Sequence, residues 1–347
     1  MPCSPENAAD AGAIVKEFMM IKKLIAVIIC TAVLGLSACS SAADIKGSKI
    51  NDDKLTVVCS TFSGFDWTRE IMGSHVQDAE LIYLLENGAD LHNYQPSAAD
   101  IVKISTCDVF IYVGGESDGW AEDAIKEAAN KDMQVVKLID TEGLTAKEEE
   151  VKEGMEAEEE EEDEGESEPE YDEHVWLSVK NAEILCDSIT SKLCLADPDN
   201  SDDYKANCDA YKTKLAALDE KFEQMSKETS EKTLIFGDRF PFRYLCDDYG
   251  IDYYAAFVGC SAETEASFET VAFLAKKADE LGADTIFTLE NSDGRIAQSI
   301  KQNTKTKDQQ IAVLDSIQSV SKAQMDAGET YISIMEKNCE TIRNAIK

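Results

Sequence analysis

One stretch constrains the fold more than any other. Tyr204, Cys208, Tyr211, Leu215, Leu218, Phe222 and Met225 recur three or four residues apart, so they line one face of a single long helix over 201–232. Ser201, Asp202 and Asp203 supply an N-terminal cap and negative charge at the positive end of its dipole. A rod of that length divides the chain, and the two sides share one grammar. Before it, LTVVCST (55–61), DVFIYVGG (108–115) and VVKLI (135–139) read as strands, with helical patterns near 67–73 and over 120–131. After it, TLIFGD (233–238), DYYAAF (252–257), DTIFTLE (284–290) and QIAVLD (310–315) read as strands. Helices fit 267–281, 295–303 and 328–345. Apolar runs alternating with amphipathic segments indicate βαβ units and a parallel sheet. The expected class is therefore α/β, with two lobes, 54–200 and 233–347, each a mainly parallel sheet flanked by helices, joined by one long rigid helix. A stiff connection predicts small closure motions, in contrast to flexible hinges. Ligands of such proteins sit beyond strand C-terminal ends and at domain interfaces. Asp66 and Trp67, near the exit of the first strand, fit either a cleft lining or ordinary packing.

The 347 residues exceed one ordinary core, consistent with two domains. A formal charge of −36 excludes nucleic acid as a partner, since phosphate binding needs clustered Lys and Arg. It equally opposes direct adhesion of the mature surface to anionic lipid. Much of that charge is local. Residues 148–173 hold seventeen carboxylates against one basic residue, Lys152. So dense a block of like charge is expected as a mobile surface loop, either an idle solvated insertion or a weak collector of cations.

The start of the chain reads as an export signal. Lys22 and Lys23 precede an apolar run, 24–36, too short to span a bilayer comfortably, and small residues follow. An uncleaved anchor is the competing reading. The ending LSAC (36–39) resembles the bacterial lipobox, which implies a leader over 1–38, lipidation of Cys39, a polar tether over 39–53, and anchoring to the outer face of the cell membrane. Residues 1–19 look like no signal, so Met19 or Met20 is the expected true start. Beyond the lipid site remain Cys59, Cys107, Cys186, Cys194, Cys208, Cys246, Cys260 and Cys339. Export permits disulfides, and Cys194 lies near enough in sequence to pair with Cys186 or Cys208. No pair has zinc-type CxxC spacing, and several lie in apolar patterns where a buried free thiol is the ordinary reading. Connectivity stays open.

Histidines are few: His75, His92 and His174. Neutral imidazole is the commonest ligand for borderline cations. His92 lies in LHNYQPS (91–97), ahead of a helix that leads into the strand at 108; His174 lies in DEHVWLS (172–178), where the acidic run ends. Far apart in sequence, they meet only if the fold joins strand exits. Singly, each is more often a surface or hydrogen-bonded histidine than a ligand. His75 has no motif around it.

LHNYQPSAADIVKISTCDVFIYVGG closely resembles the His-x-Tyr-x-Pro-Ser segment of the zinc and manganese solute receptors of ABC importers, and DEHVWLS is similar to their Asp-x-His-x-Trp-Leu segment. LDSIQSV (314–320) and TYISIMEKN (330–338) look like the family's C-terminal aspartate strand and closing helix. The resemblance covers roughly 54–347, and the ordered set of segments is far more specific than any one motif. It implies a lipid-anchored extracytoplasmic receptor, a monomer, that captures Zn²⁺, with Mn²⁺ as the alternative, and delivers it to a membrane permease. It implies His92, His174 and Asp315 as ligands sharing one ion. The family's remaining ligand position falls on Arg239, and a guanidinium has no lone pair to offer. Asp238, Glu263, Glu265 and Glu290 are substitutes, with water as another; Arg239 could orient a ligating carboxylate or form a salt bridge between lobes. Two imidazoles and one or two carboxylates suit zinc better than manganese. The resemblance implies no enzyme. The competing classes are a secreted metallohydrolase with an open zinc site, against which stands the lack of an HExxH helix, and a metal-stabilised surface protein of cell adhesion.

Overall fold

A computed structural model describes residues 54–156, 170–230, 232–261 and 265–346. The leader, the tether with Cys39, Glu263 and the middle of the acidic run lie outside the described residues. The described residues form one compact unit.

The first sheet is built from β1 (Thr56–Cys59), β2 (Glu80–Tyr83), β3 (Val109–Tyr112) and β4 (Gln134–Lys137), all parallel, in the order β2-β1-β3-β4. Helices α1 (Phe62–Met72), α2 (Ala98–Thr106) and α3 (Trp120–Lys126) connect them. After α4 (Val179–Ala196) and the long α5 (Ser201–Glu228) comes the second sheet. Its strands β5 (Thr233–Phe240), β6 (Asp252–Val258), β7 (Thr285–Leu289) and β8 (Gln310–Leu314) are again parallel, ordered β6-β5-β7-β8. Helices α6 (Arg243–Tyr249), α7 (Phe268–Leu281), α8 (Arg295–Asn303), α9 (Lys322–Asp326) and α10 (Tyr331–Ala345) complete the chain. The α/β class, the two parallel sheets and the connecting helix are as the sequence pattern requires.

The differences have local causes. Strand β2 was not legible: it is a four-residue edge strand with only Tyr83 buried, so it shows neither an apolar run nor clean alternation. Helix α5 is capped by Asn200 without a side-chain bond, not by Ser201. The chain enters α5 straight from a short turn behind α4, and the Ser201 hydroxyl donates instead to the Cys194 carbonyl, 3.3 Å. The acidic run is also not wholly a loop. Glu149 N–H donates to Glu170 O at 2.8 Å, Asp172 N–H to Lys147 O at 2.8 Å and Glu156 N–H to Ala256 O at 3.0 Å. Both ends of the run are thus paired backbone, and Asp172 and Glu173 are buried. All eight cysteines among the described residues are unpaired, so neither pairing of Cys194 is formed; six of them are buried as small apolar residues.

The two lobes share one hydrophobic core that runs from Val57 and Phe110 through Leu215 and Phe222 to Phe236 and Ile342. A smaller core of Ile235, Leu274 and Ile286 lies apart from it. The closing helix α10 crosses back onto the first lobe. Its Tyr331 ring packs edge-on to Trp67 at 5.0 Å, the Tyr331 hydroxyl donates to Trp176 O at 2.7 Å, and Tyr331 N–H donates to Asp66 Oδ2 at 2.8 Å. Trp176 Nε1 in turn donates to Ser316 O, 2.9 Å. Asp66 and Trp67 are therefore packing residues, both fully buried, and line no cleft.

Asp66 provides a test of this junction. Burial pushes its carboxyl up to about 6, against the opposing pull of Arg69 and the Tyr331 amide. Because that value exceeds the ordinary one of about 3.9 in an unfolded chain, the folded state holds an extra proton, and stability falls as pH rises between about 4 and 6. Asp66→Asn keeps an acceptor for Tyr331 and removes the charge. Denaturant titrations should show the variant gaining on the parent by up to ~2 kcal/mol across that window, and no further above it.

Candidate metal centre

The C-terminal ends of both sheets meet at the lobe junction. His92 sits in the single turn Leu91–Asn93 downstream of β2, held by its backbone N–H donating to Asp90 Oδ1 at 3.0 Å. Its Nδ1 lies 2.6 Å from the Ser117 hydroxyl, which belongs to the loop leaving β3. His174 precedes the turn Val175–Leu177 that leads into α4; its backbone N–H and its Nδ1 both lie on Asp172 Oδ1, at 2.9 and 2.8 Å. With both Nδ1 atoms engaged, the two Nε2 atoms face each other at 3.2 Å. Across a tetrahedral zinc with Zn–N near 2.05 Å, two nitrogens stand about 3.3 Å apart. Asp172 accepts from Nδ1–H of His174, which leaves the Nε2 lone pair directed at the junction; when Ser117 accepts from His92, the second lone pair joins it.

Burial keeps both rings neutral, the form a metal requires. It pushes His92 down to about 3, helped by His174, and His174 down to about 4. The His174 side chain is fully enclosed. Burial also pushes Asp172 and Glu173 up to about 7 each. Glu173 Oε1 accepts from Ser117 N–H at 2.7 Å, while its Oε2 lies 4.0 Å from His92 Nδ1 with no hydrogen-bond partner among the described residues.

From the second lobe, Arg239 on β5 reaches across. Its Nη2 donates to Asp90 Oδ2 at 2.6 Å, so the residue clasps the carboxylate that props the His92 turn. Burial works against a charge on Asp90, but the Arg239 guanidinium outweighs it and holds the carboxyl below its usual range. Arg239 is the bridge between lobes, not the orienting partner of a ligating carboxylate. Asp238 Oδ2 accepts from the Thr288 hydroxyl at 2.7 Å and from Leu289 N–H at 3.3 Å, binding β5 to β7. Glu290 accepts from Ser316 N–H and Oγ at 2.9 and 2.7 Å; burial, with Asp315 nearby, pushes it up to about 7. Glu265 is exposed. These groups frame a cavity of about 390 Å³ whose wall includes Asp90, His92, Asp238, Arg239 and Glu290.

Of the three expected ligands, the structure brings His92 and His174 together and leaves Asp315 apart. Among the described residues, one nitrogen of His92, one of His174 and the sulfur of Cys260 lie within 4.8 Å of one another; Asp315 is outside this group. Its Oδ1 accepts from Ile317 N–H at 2.8 Å in the tight loop leaving β8, where Ile317 has φ 64°, and its carbonyl accepts from Asn338 Nδ2 at 2.8 Å. Sequence reading missed Cys260, Asp90 and Ser117. For Cys260 a signal existed, a thiol two residues past the apolar run DYYAAFV, at a strand exit. His75 pairs with exposed Asp203 at 2.8 Å, away from the site.

A model of the family ZnuA, zinc-uptake complex component A, periplasmic, matches residues 57–345. The chain belongs to this family. It is 29% identical over 317 residues to the high-affinity zinc uptake system protein ZnuA of Bacillus subtilis, covering 91% of this chain and 93% of that protein. It is 27% identical over 296 residues to the zinc-binding protein AdcA of Streptococcus pyogenes serotype M18, covering 84% of this chain but only 56% of that protein, so it spans little more than half of the streptococcal relative. The Zn(II)-bound ZnuA-like domain of Streptococcus pneumoniae AdcA has the same fold, with TM-score 0.67 at 25% identity, covering 84% of this chain and 99% of that one.

The Asp172–His174 bond should matter to any ion held by the pair. Asp172→Asn leaves a weaker acceptor for Nδ1–H, and competition with a chromogenic chelator should show zinc affinity lower by about tenfold. Unchanged affinity would remove Asp172 from the site's design.

Proposed function

We propose that this chain is the capturing component of a metal importer: it binds Zn²⁺, with Mn²⁺ as the weaker alternative, at the lobe junction outside the cell membrane and passes it to an ABC permease. The observation that carries this is the pair of enclosed, neutral imidazoles whose Nε2 atoms lie 3.2 Å apart. Nitrogen donors favour zinc over manganese, which prefers oxygen. The metal is cargo, so no bond of a substrate is made or broken.

His92 and His174 are the ligands of the first lobe (54–200), and α5 within 201–232 carries the connection to the second (233–347). Asp315 and Glu290 lie at neighbouring strand exits, where a shift of side chain on metal loading would be needed to reach the ion. Arg239 holds the His92 turn in place from the opposite lobe. The proposal extends to export as a monomer, with lipid on Cys39 tethering the receptor near its permease; a Streptococcus pneumoniae relative, 28% identical over 322 residues, is called a zinc-binding lipoprotein. No feature of the site described above favours the metallohydrolase or the adhesin reading over this one.

Isothermal calorimetry on the metal-free protein tests this. His92→Ala and His174→Ala should each abolish tight zinc binding. Removal of residues 158–168, between the paired ends of the acidic run, should leave the affinity within about twofold, because that run offers no imidazole or thiol donor and its field is screened by salt. Unchanged zinc binding in the histidine variants would refute the site.

A further inference from the structure

We propose that Cys260 is a metal ligand, a thiolate contributed by the second lobe, and that it biases this receptor toward zinc and against manganese. This rests on the receptor reading above and adds to it the identity of the donor that crosses from the second lobe.

The geometry supplies the case. Cys260 follows β6, the edge strand of the second sheet, and its sulfur lies within 4.8 Å of an imidazole nitrogen of both His92 and His174. A tetrahedral zinc with Zn–S near 2.3 Å and Zn–N near 2.05 Å holds sulfur and nitrogen about 3.6 Å apart. A displacement on the order of 1 Å would therefore close the triangle, within the small motion that two lobes with a common core permit. The approach of this segment to the imidazoles is itself built in. A Cβ on Gly259 would stand 3.0 Å from His174 Cε1, 3.1 Å from its Nδ1 and 3.0 Å from Phe240 O, so a residue without a side chain lets the backbone next to Cys260 lie against the ring. Cys260 N–H donates to Glu149 Oε1 at 3.3 Å, which ties the same segment to the first lobe's acidic stem.

Cys260 also answers the difficulty raised by Arg239. Arg239 pairs in register with Phe257 on β6, so the exits of the two strands run side by side, and Cys260 lies three residues further on. The guanidinium cannot coordinate, and here it is occupied by Asp90. The donor from this lobe is thus displaced from β5 to the neighbouring strand exit. On binding, the Cys260 S–H bond breaks, a sulfur–zinc bond forms from the released electron pair, and the proton goes to solvent; no electron transfer is involved. Thiolate is a soft donor that suits Zn²⁺ and Co²⁺ and discriminates against Mn²⁺, for which oxygen-rich sites are preferred.

The test uses the full mature chain, metal-free, titrated with Co²⁺ alone and then with Zn²⁺ and Mn²⁺. The parent should develop a near-ultraviolet sulfur-to-cobalt charge-transfer band together with visible d–d bands. Cys260→Ala should lose the charge-transfer band and keep d–d absorption through the histidines. Its zinc affinity should fall by more than the ~100-fold that loss of an outer-sphere partner costs, its preference for zinc over manganese should narrow, and calorimetry in buffers of different ionisation heat should show one proton fewer released. Cys260→Ser, which keeps the volume, should behave as the alanine variant does, separating coordination from packing. A parent that binds Co²⁺ without a thiolate band, or a Cys260→Ala protein that keeps the band or the proton count, overturns the assignment while leaving the receptor reading intact. A parent that binds none of the three ions overturns both.

Discussion

The site depends on the lobes being unable to drift apart. Tyr331, at the start of the last helix, buries its ring on Trp67, its hydroxyl on the Trp176 carbonyl and its amide on Asp66, so the end of the chain is fastened to its first helix. Trp176 completes the tie by donating to Ser316 beside β8. Since the apolar core passes without interruption through both sheets, separating them would expose side chains such as Phe222 and Phe236 to water. The strand exits of the two sheets are therefore held toward each other, and any group placed on them is held too. A site built this way spends little of a ligand's binding free energy on ordering.

Electrostatics then decides which groups remain available. The chain is strongly acidic, yet the innermost part of the site carries two imidazoles that burial keeps uncharged. Arg239, which enters the junction from the second lobe, is neutralised by Asp90 and acts on the His92 turn from across the lobes. Asp172 fixes the His174 ring so that the lone pair on Nε2 points at its partner. Three of the carboxylates nearby are given tasks other than coordination: Asp172 orients a ring, Asp90 holds a turn, Asp238 joins two strands. Such outer contacts commonly set metal affinity as firmly as the ligands themselves.

Much was readable in advance. The stripe from Tyr204 to Met225 announced α5, the apolar runs announced seven of the eight strands among the described residues, and the two short motifs around His92 and His174 marked a pair that the fold brings into contact. Strand β2 escaped because an edge strand of four residues, mostly accessible, carries too little periodic signal. The acidic stems escaped because charge density hides backbone pairing, and Asp172 and Glu173 are buried by the fold around them despite their local sequence. Asp315 was placed by likeness to a family, but its carboxylate is turned to the Ile317 amide.

Sequence alone determined what is local or periodic: the parallel α/β class, the long dividing helix, and which residues can offer lone pairs to a cation. Those properties follow from side-chain spacing and chemistry, which travel with the chain. Only the tertiary structure decided that Cys260 stands beside the histidines while Asp315 faces its own loop, and that Arg239 meets Asp90. Distances between residues more than a hundred positions apart are set by the packing of two sheets, and no local pattern encodes them.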